Sequence, residues 1–343
     1  YELSMVQIPH WGLSEAEERT LRKIVFGSAL VSLVGTCAII VSVLKFRELS
    51  KRFFAIRLIF CLALTDGAAA VFNILGAFVN VESLSSEPQQ LCRTQAVGLL
   101  YFNLASVLWT SCFAFTLCRD VVPSYRWRGL RKFELYFHVI CWLPPAVLAG
   151  TETALGYIGD SGSWCAIGPA YAAQYLIFFY SPLAFALLFN ISTYTLLWLF
   201  YTERRLLLST SLYLLAFALA WLPSLYTRIQ VFFWGPTAAP SFPLAAVEAF
   251  CTPLQGAFNA AMYGWSLPSV RDKYRTMLLG KDSMDAASVV SITAVRTPSL
   301  RSEYSPPDSF DERVSSTSPF CQNAHLDSIG IDHALRRDSC SAA

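Results

Sequence analysis

Apolar residues in this chain come in long unbroken blocks rather than in the short alternations of a soluble fold. Residues 24–44, 94–118, 135–151 and 206–227 contain no Asp, Glu, Lys or Arg, and 161–202 is free of them throughout. A helix needs about 20 apolar residues to cross the hydrocarbon core of a bilayer. The pattern predicts spans at about 24–44, 54–78, 94–118, 134–151, 171–200, 208–233 and 243–266. Some carry polar or breaking residues: Asp66 in the second, Glu248 in the seventh, and Pro144-Pro145 in the fourth, which reads as short and broken. The expected fold is an all-α membrane protein, a seven-transmembrane helix bundle over 24–266 behind a short polar segment, 1–23.

After the seventh span the pattern changes. Val270, Tyr274, Met277 and Leu278 recur at helical spacing among Arg271, Lys273 and Arg275, which predicts an amphipathic helix over 267–280 lying on the inner leaflet. Residues 281–343 are rich in Ser, Thr and acids and poor in aliphatics, the composition of a disordered cytoplasmic tail. Thr297, Ser305, Ser318 and Ser339 stand there in kinase-compatible contexts. Kinases are the partners such a tail would have; a plain solvated tail is the other reading.

Basic residues set the orientation. With the N-terminus outside, Lys45, Arg47, Lys51 and Arg52 fall in the first inner loop and Arg119, Arg126, Arg128, Arg131 and Lys132 in the second. Arg204 and Arg205 fall in the third, and Arg271, Lys273, Arg275 and Lys281 follow the last span. The outer side holds only Arg19, Arg22, Lys23 and Arg93. The positive-inside rule therefore predicts N-terminus out and C-terminus in, which requires an odd number of spans.

Composition agrees with the pattern. Only 15% of residues are charged, against about a quarter in soluble domains. A net charge of +2 offers no electrostatic footprint for a nucleic acid polymer. There is no HExxH, GxSxG, P-loop or CxxC pattern, and only four histidines. No catalytic residue, metal or cofactor is expected, and the seventh span has no lysine for a retinal Schiff base.

Six cysteines (37, 61, 112, 118, 141 and 251) lie in spans, where they serve as small apolar side chains. Cys92 and Cys165 fall on outer loops, facing an oxidising environment, and are predicted to form a disulfide. Among intramembrane polar residues, Asp66 sits near mid-membrane and reads either as a polar switch or ion site or as a neutralised, hydrogen-bonded carboxyl. Arg57 and Glu134, near the inner surface, are expected to snorkel, and His138 reads as a packed residue. Trp221 and Pro223 adjoin in mid-helix six, as a hinge or a static bend. Arg228 and Glu248 lie at comparable depth near the outer ends of helices six and seven. They read either as an anion-binding pair or as a snorkelling arginine with its counter-ion.

The arrangement resembles a G-protein-coupled receptor, and within that superfamily the cyclic-AMP-receptor-like group first known from slime moulds. The resemblance is carried by Leu108-Trp109-Thr110-Ser111-Cys112, by Tyr136 to Pro144, and by Gly162-Ser163-Trp164-Cys165-Ala166-Ile167-Gly168. It continues in Phe178-Phe179-Tyr180-Ser181-Pro182, in Arg228-Ile229, and in Gln255 to Asn259 followed by Tyr263-Gly264. The chain departs from rhodopsin-like receptors, reading Cys118-Arg119-Asp120 at the end of helix three and lacking Asn-Pro-x-x-Tyr. No cysteine precedes helix one, where secretin-like receptors carry an outer domain.

The resemblance implies a plasma-membrane receptor whose partners are the bilayer, an extracellular small molecule and a heterotrimeric G protein, with kinases and arrestin-like proteins at the tail. A cyclic nucleotide or another small anion would bind near Arg228, Glu248 and Trp164. Asp66, Trp221, Pro223, Asn259 and Tyr263 are the switch candidates, and Arg119, Arg126, Arg128, Arg204 and Arg205 would face the G protein. A seven-span transporter or channel is the alternative, disfavoured by the lack of an internal repeat and by the few membrane charges.

Overall fold

The computed structural model describes residues 13–47, 54–77, 86–121, 133–160, 165–168, 171–200, 204–235 and 241–266. The expected helix at 267–280 and the tail at 281–343 lie outside the described residues.

Helix α1, Glu15–Lys45, starts well before its apolar run. Ser14 caps it: the Ser14 hydroxyl accepts the Glu17 N–H while the Glu17 carboxylate accepts the Ser14 N–H, a reciprocal capping box. The first turns are held by Leu21, which is buried against Ala245 and Ala249. The polar segment expected over 1–23 is thus helical from Glu15, where a capping box and the buried Leu21 extend the helix beyond its apolar run.

Helices α2 (Phe54–Ala77), α3 (Ser86–Val121) and α4 (Glu134–Ala154) follow. The break expected at Pro144-Pro145 does not occur, and α4 runs through both prolines. A two-stranded antiparallel hairpin comes next, β1 (Ile158–Asp160) paired with β2 (Cys165–Ile167). Helix α5 comprises a turn at Ala172–Tyr175, a π-helical turn at Leu176–Tyr180 and the segment Ser181–Phe200. Helix α6 spans Arg204–Trp234.

The predicted seventh helix is two pieces, α7 (Phe242–Cys251) and α8 (Gln255–Ser266). Pro253 has no N–H to continue the ladder. The chain crosses the gap with tight turns, Leu254 N–H to Cys251 C=O and Gln255 N–H to Thr252 C=O.

Among the described residues, five helical stretches are long and apolar enough to cross a membrane: Glu15–Lys45, Phe54–Ala77, Gln90–Thr116, Ala172–Leu199 and Leu214–Trp234. The fold is that of a helical membrane protein. α3 lies at its centre, packed against α2, α4, α5 and the hairpin, while α1 closes the ring against α2, α7 and α8. α4 packs chiefly on α3 and turns Leu135, Val139, Leu143 and Val147 outward, where acyl chains rather than water would meet them. Small residues let backbones approach, as in many membrane bundles. A Cβ on Gly35 of α1 would sit 3.0 Å from Ala260 Cβ and 3.3 Å from Ala257 Cα of α8.

Candidate functional site

The end of the bundle that carries the disulfide holds a chamber lined from α1, α2, α3, α5, α6, α7 and the hairpin. Its polar wall is built at one-turn spacing on α6, where Ser224 and Arg228 share a face. Arg228 Nη2 lies 3.7 Å from Glu248 Oε1 of α7, and both side chains are buried. Glu248 accepts the Ser224 hydroxyl at 2.9 Å, and Tyr180 of α5 meets the same hydroxyl at 2.7 Å. The Arg228 guanidinium also stands 5.0 Å from the centre of the Tyr175 ring, a cation–π contact. Three helices are therefore joined by one desolvated polar ring. Tyr180 belongs to the π-helical turn, across which adjacent Phe179 and Tyr180 are both buried. Such turns recur at functional positions. Trp221 packs on Phe179, with ring centres 5.7 Å apart. Its indole N–H has no partner among the described residues.

The hairpin roofs this chamber. Cys92, near the start of α3, is bonded to Cys165 of β2 as expected. A second tie binds the same two elements: the Cys165 N–H donates to Gln95 Oε1 at 3.3 Å. Ile158 and Ile167, opposite each other in the hairpin, are buried in the core shared by α3, α5 and α6. Mass spectrometry of non-reduced protein should recover Cys92 and Cys165 in one cross-linked peptide. Finding both as free thiols would refute the pairing.

A second polar cluster lies midway along the bundle. Asp66 is buried on α2 and accepts from the Ser106 hydroxyl of α3 through one oxygen and from Asn259 Nδ2 of α8, at 2.7 Å, through the other. Gln255 Nε2 donates to Ser106 Oγ at 2.9 Å. Asp66 and Asn259, singled out separately in the sequence, are direct partners. Tyr263 is buried one turn further along α8.

Pro223 does not break α6. A proline denies a donor to the carbonyl four residues back and loosens the turn around it. The neighbouring carbonyl, Ala220, accepts the Thr252 hydroxyl at 2.9 Å. That bond links the proline turn of α6 to the interruption between α7 and α8.

At the opposite end, the snorkelling expected of Arg57 and Glu134 is replaced by a salt bridge. Arg57 Nε reaches Glu134 Oε1 at 2.8 Å and Nη2 reaches Oε2 at 3.0 Å. A bidentate pair satisfies both groups where the interface offers little water. Arg119 is buried, its guanidinium 6.0 Å from the Phe133 ring centre. Trp164, Arg126 and Arg128 lie outside the described residues, as do the side chains of Arg204 and Arg205, the phosphorylation contexts Thr297, Ser305, Ser318 and Ser339, and the tail they belong to. His138 accepts the Trp142 N–H and stands edge-on to Trp109.

The sequence did not mark Tyr175, Ser224, Gln95 or Ser106, and Tyr180 and Gln255 entered only as members of the resemblance motifs, without a site role. A signal existed for two of them. Ser224 lies one turn before Arg228, and Gln255 one turn before Asn259, so each repeats a polar position on a marked face. Among the described residues, no cluster of His, Cys, Asp and Glu could hold a metal ion.

The sequence profile described as slime mold cyclic AMP receptor matches residues 13–211. The chain is 31% identical over 260 residues to cyclic AMP receptor-like protein A of Dictyostelium discoideum, covering 74% of this chain and 66% of that one. It is 30% identical over 196 residues to G-protein coupled receptor 1 of Arabidopsis thaliana, covering 56% of each. Cyclic AMP receptor-like protein B of Dictyostelium discoideum is 24% identical over 227 residues, 60% of this chain and 49% of that protein. The chain thus spans between about half and two thirds of the length of these curated relatives. The profile covers more than half of the chain, and the protein belongs to the slime mold cyclic AMP receptor family.

Proposed function

We propose that this protein is a plasma-membrane receptor that crosses the bilayer seven times with its N-terminus outside. It binds a small anionic ligand, such as a cyclic nucleotide, and activates a heterotrimeric G protein. The observation that carries the reading is Arg228, a buried guanidinium in a roofed chamber with the Glu248 carboxylate 3.7 Å away. A phosphate presents two oxygens to such a fork and competes with Glu248 for it. The unpartnered indole N–H of Trp221 adds a donor in the same wall, where a buried polar group ordinarily finds a partner. The names of the relatives, cyclic AMP receptor-like and G-protein coupled, support the same class of ligand and partner.

In this reading, releasing Glu248 from Arg228 reorganises the Tyr180–Ser224–Glu248 bonds and so repositions α5, α6 and α7. Pro223 and the Thr252–Ala220 bond supply the hinge. The Asp66–Asn259 cluster, with Tyr263 beyond it, relays the change. Arg119, Arg126, Arg128, Arg204 and Arg205 form the basic face for the G protein, and phosphorylation at Thr297, Ser305, Ser318 or Ser339 regulates the tail.

The test is ligand-stimulated nucleotide exchange on G proteins with a panel of cyclic nucleotides and neutral analogues, beside solute flux in liposomes. Arg228→Gln should lower the potency of anionic agonists about 10- to 100-fold, the worth of a hydrogen bond to a charged group, and leave neutral ones unchanged. Equal potency across both classes would make Arg228 structural. Flux without exchange would favour a transporter.

A further inference from the structure

The described lining of the chamber includes two guanidinium groups, and they keep different company. Arg228 is buried beside Glu248. Arg22 enters the lining from α1, next to Val25, and is only half-buried. It lies two residues ahead of the charge-free block that begins at 24, at the end of the bundle that carries the disulfide.

The extension of α1 sets this position. Ser14 starts the helix ahead of its apolar run, and Leu21 is buried against Ala245 and Ala249 of α7. With Leu21 fixed, each following residue is turned about 100° further around the axis. Arg22 and Val25 then share a flank that lines the chamber, while Arg19 and Lys23 are exposed. Glu17 is engaged by the Ser14 cap. Among the described residues Arg22 forms no hydrogen bond or ion pair, with Glu18 one turn before it or with any other. Its charge is therefore not neutralised by a neighbouring side chain.

An unneutralised cation on the wall of a cleft with low-dielectric flanks concentrates anions there and depletes cations. Because Arg22 is half exposed, an entering solute meets it before the buried Arg228. Rim charges of this kind act mainly on arrival, whereas buried pairs act on departure.

We propose that Arg22 is the anion-capture residue of the chamber, drawing small anions such as phosphate esters and carboxylates into it and keeping cations out. That the captured anion is a ligand rests on the receptor function proposed above. The capture itself does not, and its test uses neither ligand nor G protein.

Asn103 of α3 lines the same chamber and has no hydrogen-bond partner among the described residues, so Asn103→Cys places a reporter thiol there. The full chain carrying it, in neutral detergent, is treated with two methanethiosulfonates, an anionic sulfonatoethyl and a cationic trimethylammonioethyl reagent. Mass spectrometry follows labelling at position 103, and each rate is divided by that of a small thiol in solution. The ratio of the two cancels any change in thiol reactivity and reports the local potential. At low salt the anionic reagent should be favoured about tenfold, the lower end of electrostatic focusing. The preference should fade toward 1 M salt, where the Debye length is about 3 Å. Arg22→Gln should remove most of it, Arg22→Lys should keep it, and Lys23→Gln should change it little. Equal labelling by the two reagents with Arg22 in place would overturn the proposal, as would a thiol that neither reagent reaches. A preference that survives Arg22→Gln, or that Lys23→Gln lowers as much, would do the same. Any of these outcomes leaves the receptor function to its own exchange assay.

Discussion

Replacing Glu248 by Leu should cost the purified protein about 3–5 kcal/mol of stability, the penalty for removing one partner of a buried ion pair. The loss is large because the change does two things at once. It takes the carboxylate from Arg228, which is buried 3.7 Å away, and it takes the acceptor from the Ser224 hydroxyl. Glu248→Gln keeps an oxygen for Ser224 and should fall between. The double variant Arg228→Met, Glu248→Leu exchanges the pair for apolar groups and should regain most of the loss, since buried pairs are often replaceable as a unit. Unfolding in detergent followed across this cycle isolates the coupling. A Glu248→Leu protein as stable as its parent would mean that Arg228 draws its compensation elsewhere.

Gly256→Val should be nearly as damaging, by a different route. A Cβ at this position would fall 2.4 Å from Ser32 Oγ, 2.7 Å from Thr36 Cγ2 and 3.1 Å from Asp66 Cβ. Overpacking of this kind costs about 1–3 kcal/mol and at times more. Here it also displaces Asp66 from Ser106 and Asn259. Adding Ser32→Ala to Gly256→Ala removes the nearest clash and should recover part of the stability, while Thr36 keeps recovery incomplete. Gly27→Ala is the control. A Cβ there meets nothing within 4 Å, so it should be neutral or gain from the better helix propensity of alanine. Equal thermal shifts for positions 27 and 256 would refute the packing argument.

The contrast between these two sites marks what could be read from the chain alone. Long charge-free blocks announce helices, because a bilayer leaves an apolar segment little else to become, and topology leaves Cys92 and Cys165 as outer-face partners. Arg228 and Glu248 were legible for the same reason: charge is rare at that depth. The hairpin was not legible, since Ile158–Asp160 and Cys165–Ile167 are too short for an alternation and are fixed by burial against α3. The gap between α7 and α8 hung on Pro253, inside a block whose hydrophobicity spoke for continuity. The Arg57–Glu134 pair was missed because snorkelling considers each residue alone, whereas the partner comes from a helix 77 positions away. Tyr180, Ser106 and Gly256 carry no charge to draw notice; their importance arises only when helices meet.

The roof of the chamber is fastened to α3 twice, through Cys92–Cys165 and through Gln95. Through these ties the described hairpin strands travel with α3. Opposite it, Tyr180, Ser224 and Glu248 hang on α5, α6 and α7 and are hydrogen-bonded to one another. In the receptor proposed above, a bound molecule would leave when those three helices breathe away from α3. Residence time is then written into the far wall. Tightening the hydroxyl and carboxylate contacts there would lengthen dissociation while leaving the rate of arrival nearly untouched. In that proposed receptor, the duration of a response, as distinct from its threshold, would become a property of α5 to α7.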